Sequence, residues 1–182
     1  MKVTNLYLPL SIPFRASLLT AVILAGCSSD NSVEVVINRV TPEGVGPELG
    51  TVTLQDVSDG LQITPDLHDL VPGEHGFHVH ENPSCEPAEK DGTMVAALAA
   101  GGHYDPDHTG QHAGPDGNGH KGDLPVLVVD EKGFAKSPVV AKRLKLSDVK
   151  GRSLMIHSGG DSYSDNPPMG GGGARIACGV VK

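Results

Sequence analysis

The sequence predicts an all-β domain of eight short antiparallel strands, packed as a sandwich or barrel. Two observations lead there. Glycine (24) and proline (14) make up about a fifth of the chain, with no tryptophan, which favours many short elements over long helices. Apolar runs of strand length also recur with turn residues between them, and no stretch carries a long helical period. A length of 182 residues suits one domain.

The strands follow in order. VEVVINRV (33–40), LGTVTLQDV (49–57) and GLQITPDL (60–67) alternate apolar and polar residues, and Asp59-Gly60 marks a tight turn between the second and third. EHGFHVHE (74–81) is the fourth strand. LPVLVVD (124–130) and FAKSPVVAKRL (134–144) flank a turn at Glu131-Lys132-Gly133, and SLMIHS (153–158) and ARIACGVVK (174–182) complete the set. Two long connections interrupt this rhythm. Residues 82–123 carry little periodicity beyond the apolar patch MVAALAA (94–100), and residues 159–173 read GGDSYSDNPPMGGGG. Connections this long in a compact domain are functional or disordered.

The N-terminus reads as a targeting segment. Lys2 and Arg15 precede the apolar run ASLLTAVILAG and Cys27, the pattern of a bacterial export signal. The run is short for a membrane span. LAGC (24–27) resembles the lipobox of bacterial lipoproteins, in which the cysteine becomes the lipidated first residue, and Ser28 fits sorting to the outer membrane. The expected organisation is therefore a signal peptide at 1–26, a polar tether at 27–32 with lipidated Cys27, and one domain at 33–182. Lipidation of Cys27 leaves Cys85 and Cys178 as a pair able to form a disulfide in an oxidising compartment. The formal charge is −8, and a surface so acidic is not built for nucleic acid.

Nine histidines lie between His68 and His157, an uneven concentration. His78 and His80 stand two apart on a predicted strand, so both rings point to one face. The first long connection adds His103, His112, His120 and Asp123, and His157 ends a strand. Imidazole and carboxylate donors suit zinc, copper or iron rather than a thiolate site. Seven donors exceed one four-coordinate ion but suit two, if one imidazole serves both through its two nitrogens. Taken singly, each residue has an ordinary reading as strand filler or solvated loop; the ordered set does not.

GFHVH, GGHYDP, HAGP, GHKGDLP, MIHSGGD and GGGGARIACGVV, in that order, resemble the copper–zinc superoxide dismutase family in its bacterial periplasmic form, from about residue 33 to the C-terminus. The resemblance implies an eight-stranded Greek-key β-sandwich, immunoglobulin-like in architecture. It implies copper on His78, His80, His103 and His157, zinc on His103, His112, His120 and Asp123, and His103 as the bridge. The implied activity is dismutation of superoxide to dioxygen and hydrogen peroxide by alternating reduction and reoxidation of copper, protecting the cell envelope. Arg175 matches the family's active-site arginine, which guides the anionic substrate within a negative protein. Asp161 matches a carboxylate joining a copper histidine to a zinc histidine, with Asp165 as the alternative. Cys85 and Cys178 match the family's disulfide, and His75 matches a structural position. The second long connection lacks the charged stretch of eukaryotic members, which makes Lys90 a steering candidate. His68 and His108 have no implied role. The implied partners are superoxide, a membrane only through the lipid anchor, and no nucleic acid, with the protein a monomer or homodimer.

Two other readings follow from the same residues. A non-catalytic copper-binding module on this fold would dispense with some ligands or with Arg175, whereas all are present. A zinc hydrolase would need an open zinc position, whereas His103, His112, His120 and Asp123 fill four.

Overall fold

A computed structural model describes residues 1–4 and 32–182. The lipobox, Cys27 and Ser28 fall on residues 5–31, outside the described residues. From Ser32 onward the chain is nearly all strand and loop. β1 (Ser32–Thr41), β2 (Gly44–Val57) and β3 (Gly60–Leu67) form a meander, followed by β4 (Gly73–His75) and β5 (Phe77–His80). The hairpin β6 (Ala88–Lys90) and β7 (Thr93–Val95) comes next, and then β8 (Leu127–Val129), β9 (Val139–Ala141), β10 (Ser153–His157) and β11 (Arg175–Val180). Among the described residues the one α-helical turn, α1, spans Leu146–Val149. Among the described residues seven strands form one antiparallel sheet in the order β5-β10-β11-β1-β2-β3-β9, and β4 pairs with β8.

The alternation of the sequence decides which face is core. Val35 and Ile37 of β1, Leu54 of β2, Ile63 of β3, Phe77 and Val79 of β5, Leu154 and Ile156 of β10 and Leu127 of β8 meet in one buried cluster. One core joins residues from both ends of the sheet, as in a sandwich or barrel closed on itself. Burying each such side chain contributes about 1.5–3 kcal/mol. On the opposite face of β10 and β11, Met155 and Cys178 pack with Cys85, Ala97 and Ala100 in a second cluster. Cys85 and Cys178 are joined by a disulfide across 93 positions of sequence, which in the chain-entropy account stabilises the fold by about 4–5 kcal/mol.

Several expectations shift in detail. The β2–β3 turn comprises Ser58 and Asp59, because Gly60 already pairs with Val57. Gly60 has φ +145°, and a Cβ there would collide with the Ala141 carbonyl of β9. The predicted strand 74–81 is broken at Gly76, whose N–H donates to Gly159 O while its carbonyl accepts from His157 N. The run 134–144 supplies a ladder only at Val139–Ala141. Residues 82–123 contain the β6–β7 hairpin and a 3-10 turn at Leu98–Ala100, neither signalled by periodicity.

Candidate metal centre

β5 carries the site because its two faces are used differently. Phe77 and Val79 enter the core, while His78 and His80 point to the other side, yet all four are buried. The long connection covers them. Its middle and its C-terminal end are stitched to one residue of β5: Val79 N donates to Gly122 O at 2.9 Å, and Tyr104 N donates to Val79 O at 2.8 Å. Those two bonds set His103 beside His80 and Asp123 beside His78. On the other flank β10 pairs with β5, and His157 ends β10 opposite Arg175 of β11.

Two groups of donors result. Ligand atoms of His78, His80, His103 and His157 all lie within 4.8 Å of one another, as do those of His78, His103, His112 and Asp123. His103 belongs to both. His78 joins the second group because its ring stacks on His103 at 3.9 Å between centroids. His120 stands slightly outside it, with its ring 5.4 Å from that of His103. Three ring nitrogens nevertheless converge on one oxygen: Nδ1 of His103, His112 and His120 lie 3.0, 3.1 and 3.5 Å from Asp123 Oδ1. The other oxygen, Asp123 Oδ2, accepts the backbone N–H groups of Ala113 and Gly114.

The hydrogen bonds of these rings leave particular atoms free. His78 Nε2 donates to Asp161 Oδ2 at 2.8 Å, and His112 Nε2 donates to Asp161 Oδ1 at 2.7 Å. His80 Nδ1 faces Gly101 O at 2.9 Å, and His157 Nδ1 faces Gly173 O at 3.4 Å. His78 Nδ1, His80 Nε2, His157 Nε2, His112 Nδ1 and His120 Nδ1 are then buried without a hydrogen-bond partner. Buried polar atoms are almost always satisfied. Five orphaned imidazole nitrogens on rings clustered around His103 fit metal ions, and this donor set suits copper and zinc.

Electrostatics keep the rings ready to bind. Burial holds His78 and His80 below the ordinary histidine value, lowers His103 to about 4, and, with the neighbouring rings, lowers His157 to about 3. Their lone pairs are therefore free at neutral pH. His112 differs: burial lowers it, but Asp123 and Asp161 outweigh that and raise it to about 9. Both carboxyls are held well below the usual carboxylate range, their bonds to these histidines outweighing burial.

A cavity of about 360 Å³ opens onto the first group, lined by His80, His103, His157, Met169 and Arg175 among others. Arg175 donates from Nη1 to Ala97 O at 2.6 Å and from Nη2 to Gly101 O at 2.7 Å. A guanidinium has five N–H donors, so capacity remains for an anion.

The remaining sequence candidates fall as follows. Asp165 lies apart from His78 and accepts the backbone N–H of His112 at 3.1 Å. His75 has both ring nitrogens against backbone carbonyls, His157 O and Val71 O, so neither is available to a metal. Lys90 is exposed at the β6–β7 turn and is not among the cavity-lining residues. His68 contacts Asp69 at the surface, and His108 sits in the loop with φ +52°. The glycine run is more than slack. Gly170 has φ +69°, and a Cβ there would strike Asp161 Oδ1 and crowd His112 Nε2.

A family model described as copper/zinc superoxide dismutase matches residues 48–181. The chain belongs to the copper/zinc superoxide dismutase family. It is 56% identical to Cu-Zn superoxide dismutase 2 of Salmonella typhimurium, covering 92% of this chain and 99% of the relative. It is 52% identical to the Cu-Zn superoxide dismutase of Escherichia coli over 93% and 98% of the two chains. Among solved structures, the Cu/Zn superoxide dismutase from Brucella abortus is similar at TM-score 0.82 and 55% identity, covering 83% of this chain and 99% of that one. The monomeric copper, zinc enzyme from Salmonella enterica is similar at TM-score 0.76 and 59% identity, with the same coverage. The activity of this superoxide dismutase is conversion of superoxide to dioxygen and hydrogen peroxide, with copper and zinc as cofactors.

Proposed function

We propose that His78, His80, His103 and His157 hold the copper, that His103, His112, His120 and Asp123 hold the zinc, and that His103 serves both. The observation carrying this is the set of five buried, unpartnered ring nitrogens facing the two spaces on either side of His103. Bound copper supplies a one-electron couple that alternately takes an electron from superoxide and returns one, whereas zinc has no redox chemistry.

The chain supplies the rest. Arg175 docks superoxide at the mouth of the cavity, offsetting a formal charge of −8 that repels an anion. Lys90 adds positive charge on the exposed hairpin and assists the approach. His103 is the proton carrier. Its Nδ1 faces Asp123, so Nε2 is the nitrogen that takes up a proton between the two half-reactions and gives it to the departing peroxide. Asp161 holds the Nε2–H of both His78 and His112, so Nδ1 is the nitrogen each would offer a metal; on His112, raised to about 9, zinc would displace the Nδ1 proton that faces Asp123.

The disulfide supports an exported protein, since such bonds persist in oxidising compartments. With the signal at 1–26 and Cys27 lipidated, the domain at 33–182 works in the periplasm, tethered to the outer membrane, and protects the envelope. The monomeric description of the Salmonella enterica relative supports a monomer here. The ligand assignment is tested by His78→Ala: activity and copper retention are lost while most zinc stays bound. Loss of zinc with copper retained overturns it.

A further inference from the structure

The connection from β9 to β10 carries no metal ligand, yet four of its side chains reach the loop that does, the first being Lys142, whose Nζ pairs with Asp116 Oδ1 at 3.0 Å. Arg143 Nη2 donates to Gly119 O at 2.7 Å, and Nη1 donates to His120 O at 3.3 Å. Asp148 Oδ1 pairs with Lys121 Nζ at 3.1 Å. Arg152 stacks on the Tyr104 ring, its guanidinium carbon 3.6 Å from the centroid, while Nε and Nη1 donate to Asp148 O and Glu81 O. The contacts fall at both ends of the ligand loop, next to His103 and around His120.

His120 has the weakest anchorage of the ligands. His78, His80 and His157 sit on strands, and His112 is held through its ring by Asp161 and through its backbone by Asp165. The His120 ring makes no hydrogen bond among the described residues; its Nδ1 is the farthest of the three from Asp123 Oδ1. Flanking glycines 117, 119 and 122 do little to restrict the backbone. The backbone of His120 is held by its N–H, which donates to Gln111 O at 2.8 Å, and by its carbonyl, which accepts Arg143 Nη1 at 3.3 Å and the Asp123 N–H at 3.4 Å.

We propose that Arg143 is a positioning residue for zinc. Its planar fork takes two successive carbonyls, Gly119 and His120, and so fixes the rotation of the peptide between them. That rotation sets where the His120 ring points. A lysine presents one compact charge and cannot impose the same geometry. The inference rests on the reading of His120 as a zinc ligand.

The test uses the metal-stripped mature protein, titrated with zinc and with copper against chelators of known affinity. Cobalt(II) serves as a spectroscopic substitute for zinc. Arg143→Gln is expected to weaken zinc about 10–100-fold, the usual effect of losing a partner behind a ligand, with copper changed less than about threefold. The cobalt bands should shift, and Arg143→Lys should recover only part of the affinity. Arg39→Gln is the control for general loosening, because Arg39 also holds a backbone carbonyl, that of Asp69, outside this loop. Zinc affinity in Arg143→Gln equal to wild type, copper weakened as much as zinc, or an equal zinc loss in Arg39→Gln each overturns the proposal. His120→Ala separates the two readings. If it binds zinc normally, the assignment of His120 fails; if it loses zinc while Arg143→Gln does not, only the role of Arg143 fails.

Discussion

Asp161→Ala distinguishes ligands held by a strand from ligands held by a loop. The carboxylate has no exposed surface and accepts three N–H groups: His78 Nε2 at 2.8 Å, His112 Nε2 at 2.7 Å and Tyr163 N at 2.8 Å. Alanine removes all three acceptors at once. His78 keeps its aim, because β5 is paired with β10 at Met155 and the ring is stacked on His103. His112 does not, because it lies in irregular backbone where Asp161 is the partner of its Nε2. Ligands on regular elements stay better placed than ligands on loops. Losing the partner behind a ligand costs about 10–100-fold in metal affinity, or about 1.4–2.7 kcal/mol, and that loss should fall on zinc. Copper should weaken by less than about threefold on the same scale. Competition titrations of each metal against chromophoric chelators measure both. A copper loss equal to or larger than the zinc loss would refute the strand-versus-loop argument.

Arg175→Glu reverses the charge at the cavity mouth and should slow superoxide consumption at low ionic strength by about tenfold or more. Added salt should recover part of that rate in stopped-flow measurements; an unchanged rate at low salt would remove the docking role of Arg175. The metal-free protein should be most stable near pH 6.5. His103 at about 4, His157 at about 3, and the similarly lowered His78 and His80 stay unprotonated in the fold, while their unfolded counterparts bind protons below about 6.5. Stability is therefore lost as pH falls from there towards 3, by up to about 1.4 kcal/mol per pH unit for each proton. His112 acts in the opposite sense: raised to about 9, its contribution is complete below about 6.5 and is lost as pH climbs through 9. Urea unfolding across this range checks both limbs, and stability that kept rising from pH 6.5 to 9 would contradict the second.

What was legible in the sequence was what obeys a local period. His78 and His80 share a face because strand side chains alternate, and Phe77 and Val79 enter the core for the same reason. The ligand loop has no such period, since hydrogen bonds to Val79, Asp123 and Asp161 shape it rather than local propensity. Its hairpin and 3-10 turn were accordingly invisible. Asp161 and Asp165 lie four apart in one irregular connection, and their hydrogen bonds tell them apart: Asp161 reaches the rings of His78 and His112, and Asp165 the backbone N–H of His112. Arg143 gave no signal at all, because a lone arginine at the end of an apolar run is ordinary surface charge until its carbonyl partners are known.

The same contrast explains how the two halves of the site are stabilised. Each orphaned buried nitrogen costs about 1–3 kcal/mol when nothing binds it, and five such nitrogens belong to rings clustered around His103. Three of them, on His78, His80 and His157, are fixed by strands that the hydrophobic core orders whatever the metal content. The other two, on His112 and His120, sit in backbone ordered by polar contacts alone, which zinc would join. Metal binding and loop order are therefore coupled mainly on the zinc side. On the proposed ligand assignment, copper would meet ligands that the fold has already aimed, and zinc would help to aim its own.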